Sequence, residues 1–541
     1  MNVYRNSPAL VVPRTAVIVV CVTACGGALA SLSPALAIGI IGAVAALLAV
    51  IVLVRVTGHV QATLLGCYAA SLPFPIRLPG VGSLEITVQG AVLYALLLAI
   101  VSQRVLYLSH TDERKNLDLR RCAPLLLAFL AFALLCSIAL FQYVSSSAGA
   151  LLGQIQLAAG PLGLDILSSS AKTVNVGFFT SGPLYYGLYR LHFDALDPLV
   201  TVVVALLIVD TTDKALFIAR GLLTGAILVA LYLMYLQFTG APVNPAYIDV
   251  SGRLGSQLTS FSGYHPNSFS PYFGFMILLA LVLLSLKKSR LLALVSLAIF
   301  VPALWLTYSR GGLLAFLAAL LCLIGVRIWS TSSTARRRLV AGLLGAALVA
   351  GAASFSGLGG SLLASDRYGT LFSSAGLSQI DQLQTRQQIW HMALSMLNAR
   401  PLTGFGLDSV LLATGGIYPA HETFLEIGAG MGYPGLAAFL VLIVMGFMSL
   451  IPILRRGDGT AKALSGLGLA VLTSYVVTGL SETIYGHPFV PEAVWLIVAL
   501  PIALACRRAR EAEHPEGIVH WVSWKKEAFA PAPTATIAQM D

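Results

Sequence analysis

Three ionisable side chains stand beside long apolar runs and belong to residue types that carry out chemistry. His421 precedes an apolar run that extends to residue 454, and an imidazole that titrates near neutral pH can remove a proton from a substrate. Arg253 and Arg310 each lie next to an apolar run, where a guanidinium at the edge of hydrocarbon needs a partner. A phosphate-bearing ligand would provide one, because guanidinium binds phosphate oxygens through two parallel hydrogen bonds.

Each of these residues also has a simpler interpretation. An interfacial histidine can hydrogen-bond a neighbouring loop, and an arginine near a helix end can extend to lipid headgroups or bond loop carbonyls. Two arginines and one histidine on a single face, without a cluster of metal ligands, nevertheless favour an anionic lipid substrate. Four aromatic residues near them could stack on sugar rings or could belong to the belt at the membrane boundary: Tyr264, Tyr308, Tyr418 and Phe424.

The composition is that of a membrane protein with many spans. Of 541 residues, 57% are hydrophobic and 10% are charged, whereas a soluble domain carries about 25% charged residues. The net charge of +10 comes from Lys and Arg in short loops between apolar runs, which membrane orientation explains better than nucleic-acid binding. The seven cysteines show no zinc-type spacing, so we predict neither a disulfide framework nor a structural metal.

The order of apolar runs and basic clusters predicts an all-α polytopic fold with about fourteen transmembrane helices and both termini inside. Every basic cluster then lies on one side of the membrane, and Arg253, Arg310 and His421 lie on the other. The largest external segment, residues 357–420, contains a predicted amphipathic helix. Apolar residues at helical spacing mark that helix: Ile389, Trp390, Ala393, Leu394 and Leu397.

These features divide the chain into five predicted parts. They are N-terminal transmembrane hairpins with a basic cytoplasmic loop (1–144), central transmembrane helices with two external loops (145–356), the external segment (357–420), C-terminal transmembrane helices (421–510) and a flexible cytoplasmic tail (511–541). Two groups of glycines have predicted packing roles. Gly311 and Gly312 leave room beside Arg310, and four glycines at 428–435 let the helix after His421 approach its neighbours.

Four segments, in chain order, resemble the O-antigen ligase and O-antigen polymerase superfamily of integral-membrane glycosyltransferases. They are GYHPNSFSPYF (263–273), YSRGG (308–312), RQQIWHMALSMLNARPLTGFGLDS (386–409) and HETFLEIGAGMGYPG (421–435). SRGG alone is a weak signal, whereas SRGG followed by RxxxW…PxxGxG and then HxxxLE…GxxG is fairly specific. The chain departs from the family at Glu422, where asparagine is usual, and at Gly430, where an acidic residue is frequent.

The resemblance implies a saccharide donor carried on polyprenyl diphosphate at the outer face of the cytoplasmic (inner) membrane. Arg253 and Arg310 would bind the diphosphate and offset the charge that grows as it leaves. His421 would deprotonate a hydroxyl of the acceptor sugar, and one direct displacement would invert the anomeric carbon.

The resemblance also sets expectations about ligands. Members of the family look metal-independent, so we expect no cofactor. The expected partners are the lipid-linked oligosaccharide, a glycan acceptor and membrane lipid, and not nucleic acid. Five further residues of the resembling segments could contact substrate: Tyr264, His265, Asn267, Arg386 and Glu422.

Three activities remain open from the sequence. A polymerase that extends a chain of repeat units is favoured because such enzymes are more numerous. A ligase that hands a finished glycan to a terminal acceptor would use the same three residues. A transporter of lipid-linked sugars is an alternative of another class, and it predicts ionisable residues at mid-membrane rather than at span ends.

Overall fold

The computed structural model describes residues 60–74, 88–107, 119–145, 150–151, 153–159, 183–241, 253–256, 265–330, 381–414, 419–484, 487 and 489–513, and their regular structure is helical throughout. Fourteen of the α-helices are, in chain order, α1 (Val60–Ser71), α2 (Val88–Tyr107), α3 (Leu119–Ser145), α4 (Pro183–Leu191), α5 (Asp197–Ile208), α6 (Thr212–Phe238), α7 (Pro266–Ser285), α8 (Arg290–Leu306), α9 (Arg310–Ser330), α10 (Asp381–Ala399), α11 (Ser409–Ala413), α12 (Thr423–Arg456), α13 (Gly459–Gly479) and α14 (Val490–Glu513). A π-helical turn at His192–Leu196 joins α4 to α5.

Seven membrane spans are recognisable in the described residues by length and apolar composition. They are α3, the joined α4 and α5, α6, α7, α9, α12 and α13, while α2, α8 and α14 contain shorter apolar stretches. The predicted all-α polytopic fold is confirmed. Three further predicted spans, at residues 15–32, 35–54 and 339–356, lie outside the described residues, and the five-part division of the chain stays a prediction.

The outer surfaces of several spans are covered by large apolar side chains. Such surfaces match the hydrocarbon of a bilayer, where every backbone polar group must also be satisfied within the helix. Exposed members on α3, α9 and α12 include Leu127, Leu130, Leu134, Leu314, Leu317, Leu321, Val441, Val444 and Met448.

Helix α7 is the central element of the described bundle. From Pro266 to Leu283 every residue except Leu281 is buried, and α7 contacts α8, α9, α13 and α14. Because α7 is surrounded on all sides, the residues at its N-terminus are held in place by several neighbouring helices at once.

The two ends of this bundle hold different residues. At one end, Arg327 of α9 donates to Ser285 Oγ at 2.6 Å, and the guanidinium of Arg455 lies 5.6 Å from the ring centroid of Trp329. The opposite end brings together the N-termini of α7, α9 and α12 and the C-termini of α8 and α13. We call these the basic end and the candidate-site end.

Ionisable residues also lie within the residue range of one span, Gly187–Ile208. Arg190 in α4 forms ion pairs with Asp194, at 3.0 Å between Nη2 and Oδ1, and with Asp408, at 2.8 Å between Nε and Oδ2. His192 Nε2 lies 3.3 Å from Asp197 Oδ2. Pairing of this kind makes burial tolerable, because a lone charge inside the membrane would be very costly.

The predicted amphipathic helix of the external segment corresponds to α10. Its buried face contains Ile389, Ala393 and Leu397, as predicted, but Leu394 is 42% exposed and Met396 is buried. The buried face packs on α12, where the backbone leaves the helical region at Gly432, whose φ is +68°. Glycine is required there because a Cβ would be strained at this φ and would lie 2.5 Å from Pro401 O.

Close packing of α1 on α6 gives a stability prediction. A Cβ added to Gly225 would overlap the backbone carbonyl of Ala70, whereas nothing lies within 4 Å of the equivalent point at Gly325. We expect Gly225→Leu to reduce the free energy of unfolding by about 1–3 kcal/mol through overpacking. Thermal unfolding in detergent measures the effect. The matched control, Gly325→Leu, should not lower the wild-type midpoint, and an equally stable Gly225→Leu would contradict the described contact.

Candidate functional site

A buried carboxylate, Glu482, lies at the centre of the candidate-site end, just after α13. Its side chain accepts three hydrogen bonds from three residues that are distant in sequence, and it is 8% exposed. Oε1 accepts from Asn267 Nδ2 at 2.6 Å and from Arg386 Nη2 at 3.1 Å. Oε2 lies 3.1 Å from His421 Nδ1. The carboxylate therefore connects α7, α10 and the residue that precedes α12.

Backbone contacts hold Glu482 in this position. Thr423 Oγ1 donates to the carbonyl of Glu482 at 2.8 Å and accepts from Ile484 N at 3.1 Å. Arg386 Nη1 donates to Ser481 O at 2.9 Å. The loop after α13 is thus joined to the first turn of α12 and to the start of α10, so the carboxylate has little freedom to move.

The electrostatic surroundings keep Glu482 ionised. Burial alone would raise its pKa, but at the low pH where Glu482 titrates the positive charges of protonated His421, of Arg386 and of protonated His265, together with the hydrogen bond from His421, outweigh burial and lower the pKa well below its ordinary value. An ionised carboxylate can only accept hydrogen bonds. The proton between it and His421 must therefore sit on Nδ1, and Nε2 of a neutral His421 carries the lone pair.

The backbone at His421 is strained, and two side chains hold the residue directly before it. Its φ of +50° is uncommon for a residue with a Cβ, and such a conformation costs on the order of 1–3 kcal/mol. Trp390 Nε1 donates to Ala420 O at 3.0 Å, and Ala420 N donates to Glu426 Oε2 at 2.7 Å. The His421 side chain remains 22% exposed, so its ring is accessible from outside the protein.

Arg253 joins the same network from the other side. Its Nε donates to Thr307 O at 2.8 Å, and its Nη2 donates to Asn267 Oδ1. The neighbouring Leu254 N donates to Leu306 O at 2.9 Å, which fixes this loop on the end of α8. Arg253 is consequently linked to His421 through two intervening residues, Asn267 and Glu482.

His265 serves as the N-cap of α7. Its Nδ1 accepts from Asn267 N at 3.2 Å, which orders the first turn and places the Asn267 side chain between Arg253 and Glu482. Burial and the nearby charge of Arg253 lower the pKa of His265 to about 3. The ring is therefore neutral at physiological pH, as an accepting Nδ1 requires.

Arg310 is the first residue of α9 and lies at the same end of the bundle. A Cβ on Gly311 would overlap the Ser481 hydroxyl, and one on Gly312 would overlap the Ser270 hydroxyl. This corrects the expectation that the two glycines leave room for a ligand, because the space is filled by serines. The close contact with Ser481 places the start of α9 next to Glu482.

The structure thus brings together Arg253, Asn267, Arg386 and His421, with Arg310 and His265 beside them. Glu422, a further candidate, is the N-cap of α12 and accepts a hydrogen bond from Leu425 N, while burial raises its pKa. Tyr264 and Tyr418 lie outside the described residues. Phe424 packs on Phe439 with ring centroids 5.9 Å apart.

Glu482 was not among the residues singled out from the sequence. The available signal was an acidic residue directly after the apolar run that forms α13, but acidic residues at such positions are ordinary. Its significance depends on contacts with residues 61 to 215 positions away, which no local pattern reveals.

A pH-dependent stability difference follows from the environment of His265. Its pKa is about 3 in the folded protein and 6.5 as the ordinary value. Between these values the unfolded chain binds a proton that the folded chain does not, so the free energy of unfolding decreases as the pH falls below 6.5. The decrease approaches about 1.4 kcal/mol per pH unit.

Replacement of His265 by Asn tests this, because asparagine also caps helices but does not titrate. We expect His265→Asn to lose less thermal stability than wild type between pH 7 and pH 5. The exposed His391 offers a control, since His391→Asn should leave the pH dependence unchanged. An identical pH dependence in His265→Asn and wild type would contradict the buried neutral state.

Comparison with known proteins adds one match. No curated protein matched the chain. Residues 295–440 match a family model described as O-antigen ligase, and this range includes Arg310, Arg386 and His421 but not Arg253 or Glu482. Together with the apolar spans, this match confirms the resemblance to the O-antigen ligase and polymerase superfamily, and it implies a multi-pass membrane enzyme of the glycosyltransferase type.

Proposed function

We propose that the protein is an inverting glycosyltransferase that moves a saccharide from a polyprenyl-diphosphate donor to a sugar hydroxyl. The observation that carries the proposal is the contact of His421 Nδ1 with the ionised Glu482. A histidine oriented by a carboxylate presents its other nitrogen as a base, and this arrangement suits deprotonation of a weak nucleophile such as a hydroxyl.

In the proposed reaction, His421 Nε2 takes the proton from the acceptor hydroxyl. The hydroxyl oxygen forms a bond to the anomeric carbon of the donor as the bond from that carbon to the diphosphate oxygen breaks. The electron pair of the broken bond leaves with polyprenyl diphosphate. Because attack and departure occur on opposite faces of the sugar, the configuration of the anomeric carbon is inverted.

The departing diphosphate needs positive charge near it, and Arg253 and Arg310 are the proposed source. The N-terminus of α9 adds a favourable dipole at Arg310, since helix N-termini attract phosphate. The guanidinium groups would take the charge-offsetting role that a metal ion has in many soluble glycosyltransferases. Arg386 is already paired with Glu482, so we assign it to holding the carboxylate that orients His421.

The cluster of lysines and arginines at the basic end supports an external location for the candidate site. Lys287, Lys288, Arg327, Arg455 and Arg456 are near the basic end, and the positive-inside rule favours a cytoplasmic location for such an end. The candidate-site end would then face the periplasm or the cell exterior, where a lipid-linked saccharide and its glycan acceptor would meet.

The type of acceptor distinguishes two kinds of glycosyltransferase, a polymerase and a ligase. We favour a polymerase of surface polysaccharide. An O-antigen-type ligase is the alternative, because the same residues would serve both activities. The ion pairs of Arg190 inside the spans are the feature that a lipid-linked-sugar transporter would use. We favour an enzyme because Arg190 is already matched by Asp194 and Asp408.

Substitution of the proposed base gives the central test. We expect His421→Ala to reduce glycan transfer by about 10²–10⁴-fold, because it removes general-base catalysis. Purified protein would be incubated with lipid-linked repeat units, and the products would be resolved by gel electrophoresis. The control is His391→Ala, which changes an exposed histidine of α10 and should retain wild-type activity.

The same assay separates the candidate functions. A ladder of products from repeat units alone indicates a polymerase, and transfer only after addition of a terminal acceptor indicates a ligase. Movement of intact donor across the membrane of proteoliposomes, without formation of a new glycosidic bond, would identify the protein as a transporter rather than an enzyme. Full transfer by His421→Ala would refute the assignment of the base.

The diphosphate role of Arg310 is tested by a charge-conserving change. Lysine cannot reproduce the two parallel hydrogen bonds of a guanidinium, so we expect Arg310→Lys to weaken donor binding about tenfold, or about 1.4 kcal/mol. Binding of polyprenyl diphosphate in detergent measures this change. Arg456→Lys, at the basic end, is the control, and unchanged affinity in Arg310→Lys would assign the diphosphate to other residues.

A further inference from the structure

We propose that Glu426 is a positioning residue that sets the orientation of His421, an inference that rests on the proposed function. Glu426 belongs to the HxxxLE motif, and neither general-base catalysis nor diphosphate binding accounts for it. It lies in the first turn of α12 and is fully buried. A carboxylate in such a place is costly unless its oxygens accept hydrogen bonds.

Both oxygens of Glu426 accept backbone hydrogen bonds from segments outside its helix. Oε2 accepts from Ala420 N at 2.7 Å, and Oε1 accepts from Val410 N at 3.2 Å. Ala420 is the residue directly before His421. The side chain therefore fixes the peptide that leads into the proposed base and ties that peptide to α11.

The conformation of His421 explains why such a contact is needed. A φ of +50° is uncommon for a residue with a Cβ and persists only where the surroundings enforce it. Two side chains hold the Ala420 peptide groups, Glu426 at the N–H and Trp390 at the carbonyl. When the Glu426 contact is lost, we expect the backbone to relax and the ring to turn away from Glu482.

The other end of the Glu426 bridge is itself anchored. Asp408, which precedes α11, also has a positive φ of +57° and forms an ion pair with the buried Arg190 at 2.8 Å. Arg190 thus holds Asp408, and the α11 segment presents Val410 N to Glu426. This chain of contacts extends from α4 to His421. The Val410 N–H that binds Glu426 is therefore itself held in place.

The chemistry of the site requires a group with two acceptors. Glutamine has the same shape, but it offers one acceptor oxygen and turns a donating NH₂ towards the second N–H. Methionine has a similar length and would fill the buried space, but its thioether accepts hydrogen bonds only weakly. The two variants therefore remove one and both of the strong acceptors while keeping the volume.

A matched control is available in α14. Glu492 is also a buried glutamate in the first turn of a helix, and it is 3% exposed. Glu492→Met makes the same chemical change in a different helix. We expect Glu492→Met to keep kcat within about twofold of wild type. This control distinguishes the effect of losing any buried carboxylate from the effect of losing Glu426.

The experiment measures kcat for glycan transfer, together with the affinity and stoichiometry of polyprenyl diphosphate binding. We expect Glu426→Met to lower kcat at least tenfold and Glu426→Gln at least threefold. Both variants should bind one full equivalent of polyprenyl diphosphate with affinity within twofold of wild type. A purely structural role would instead lower the bound equivalents in proportion to kcat.

The outcomes are distinct. Wild-type kcat in Glu426→Met, or a parallel loss of diphosphate binding in Glu426→Met and Glu426→Gln, overturns the proposal. If Glu426→Met does not fold, Glu426→Gln decides, and a kcat equal to wild type rejects the positioning role. The proposed function is tested separately. Equal rates of glycan transfer by wild type and His421→Ala would reject it.

Discussion

Burial of the Glu482 carboxylate is the constraint on which the candidate site depends. A charge shielded from water must be matched by donors, and here they come from Asn267 on α7, Arg386 on α10 and His421 before α12. These helices are distant in sequence, so the need to satisfy one side chain brings their ends together. The contacts that stabilise the ionised Glu482 carboxylate also orient the imidazole of His421. Glu482 therefore has a structural role and a chemical role at once.

Much of the fold could be predicted from hydropathy, because a bilayer permits few alternatives to apolar helices. The residue types at span ends likewise predict His421, Arg253 and Arg310 as site residues, and their roles stay a prediction. Glu482 could not be found in this way, since its partners lie 61 to 215 residues away in the chain. The face of α10 was predicted only approximately, because periodicity does not distinguish Leu394, which is exposed, from a buried neighbour such as Met396.

The charged residues of α4 and the π-turn show a second limit of local patterns. Averaging hydropathy over a span conceals an ion pair, because each member of the pair looks unfavourable until the other is placed beside it. Arg190 has two acidic partners, of which Asp194 is four residues away in the chain and Asp408 lies far away in the chain, directly before α11. Such pairing explains how a span with several ionisable residues remains stable in hydrocarbon.

The break in α12 at Gly432 has a mechanical consequence. Backbone donors and acceptors around the break bond the segment after α10, with Phe405 N to Ala429 O at 3.0 Å, Gly406 N to Gly430 O at 2.8 Å and Tyr433 N to Pro401 O at 2.7 Å. Those bonds join the segment after α10 to α12 on both sides of Gly432. The break is therefore bridged by the segment after α10, and α10 should move together with both parts of α12 rather than pivot about Gly432.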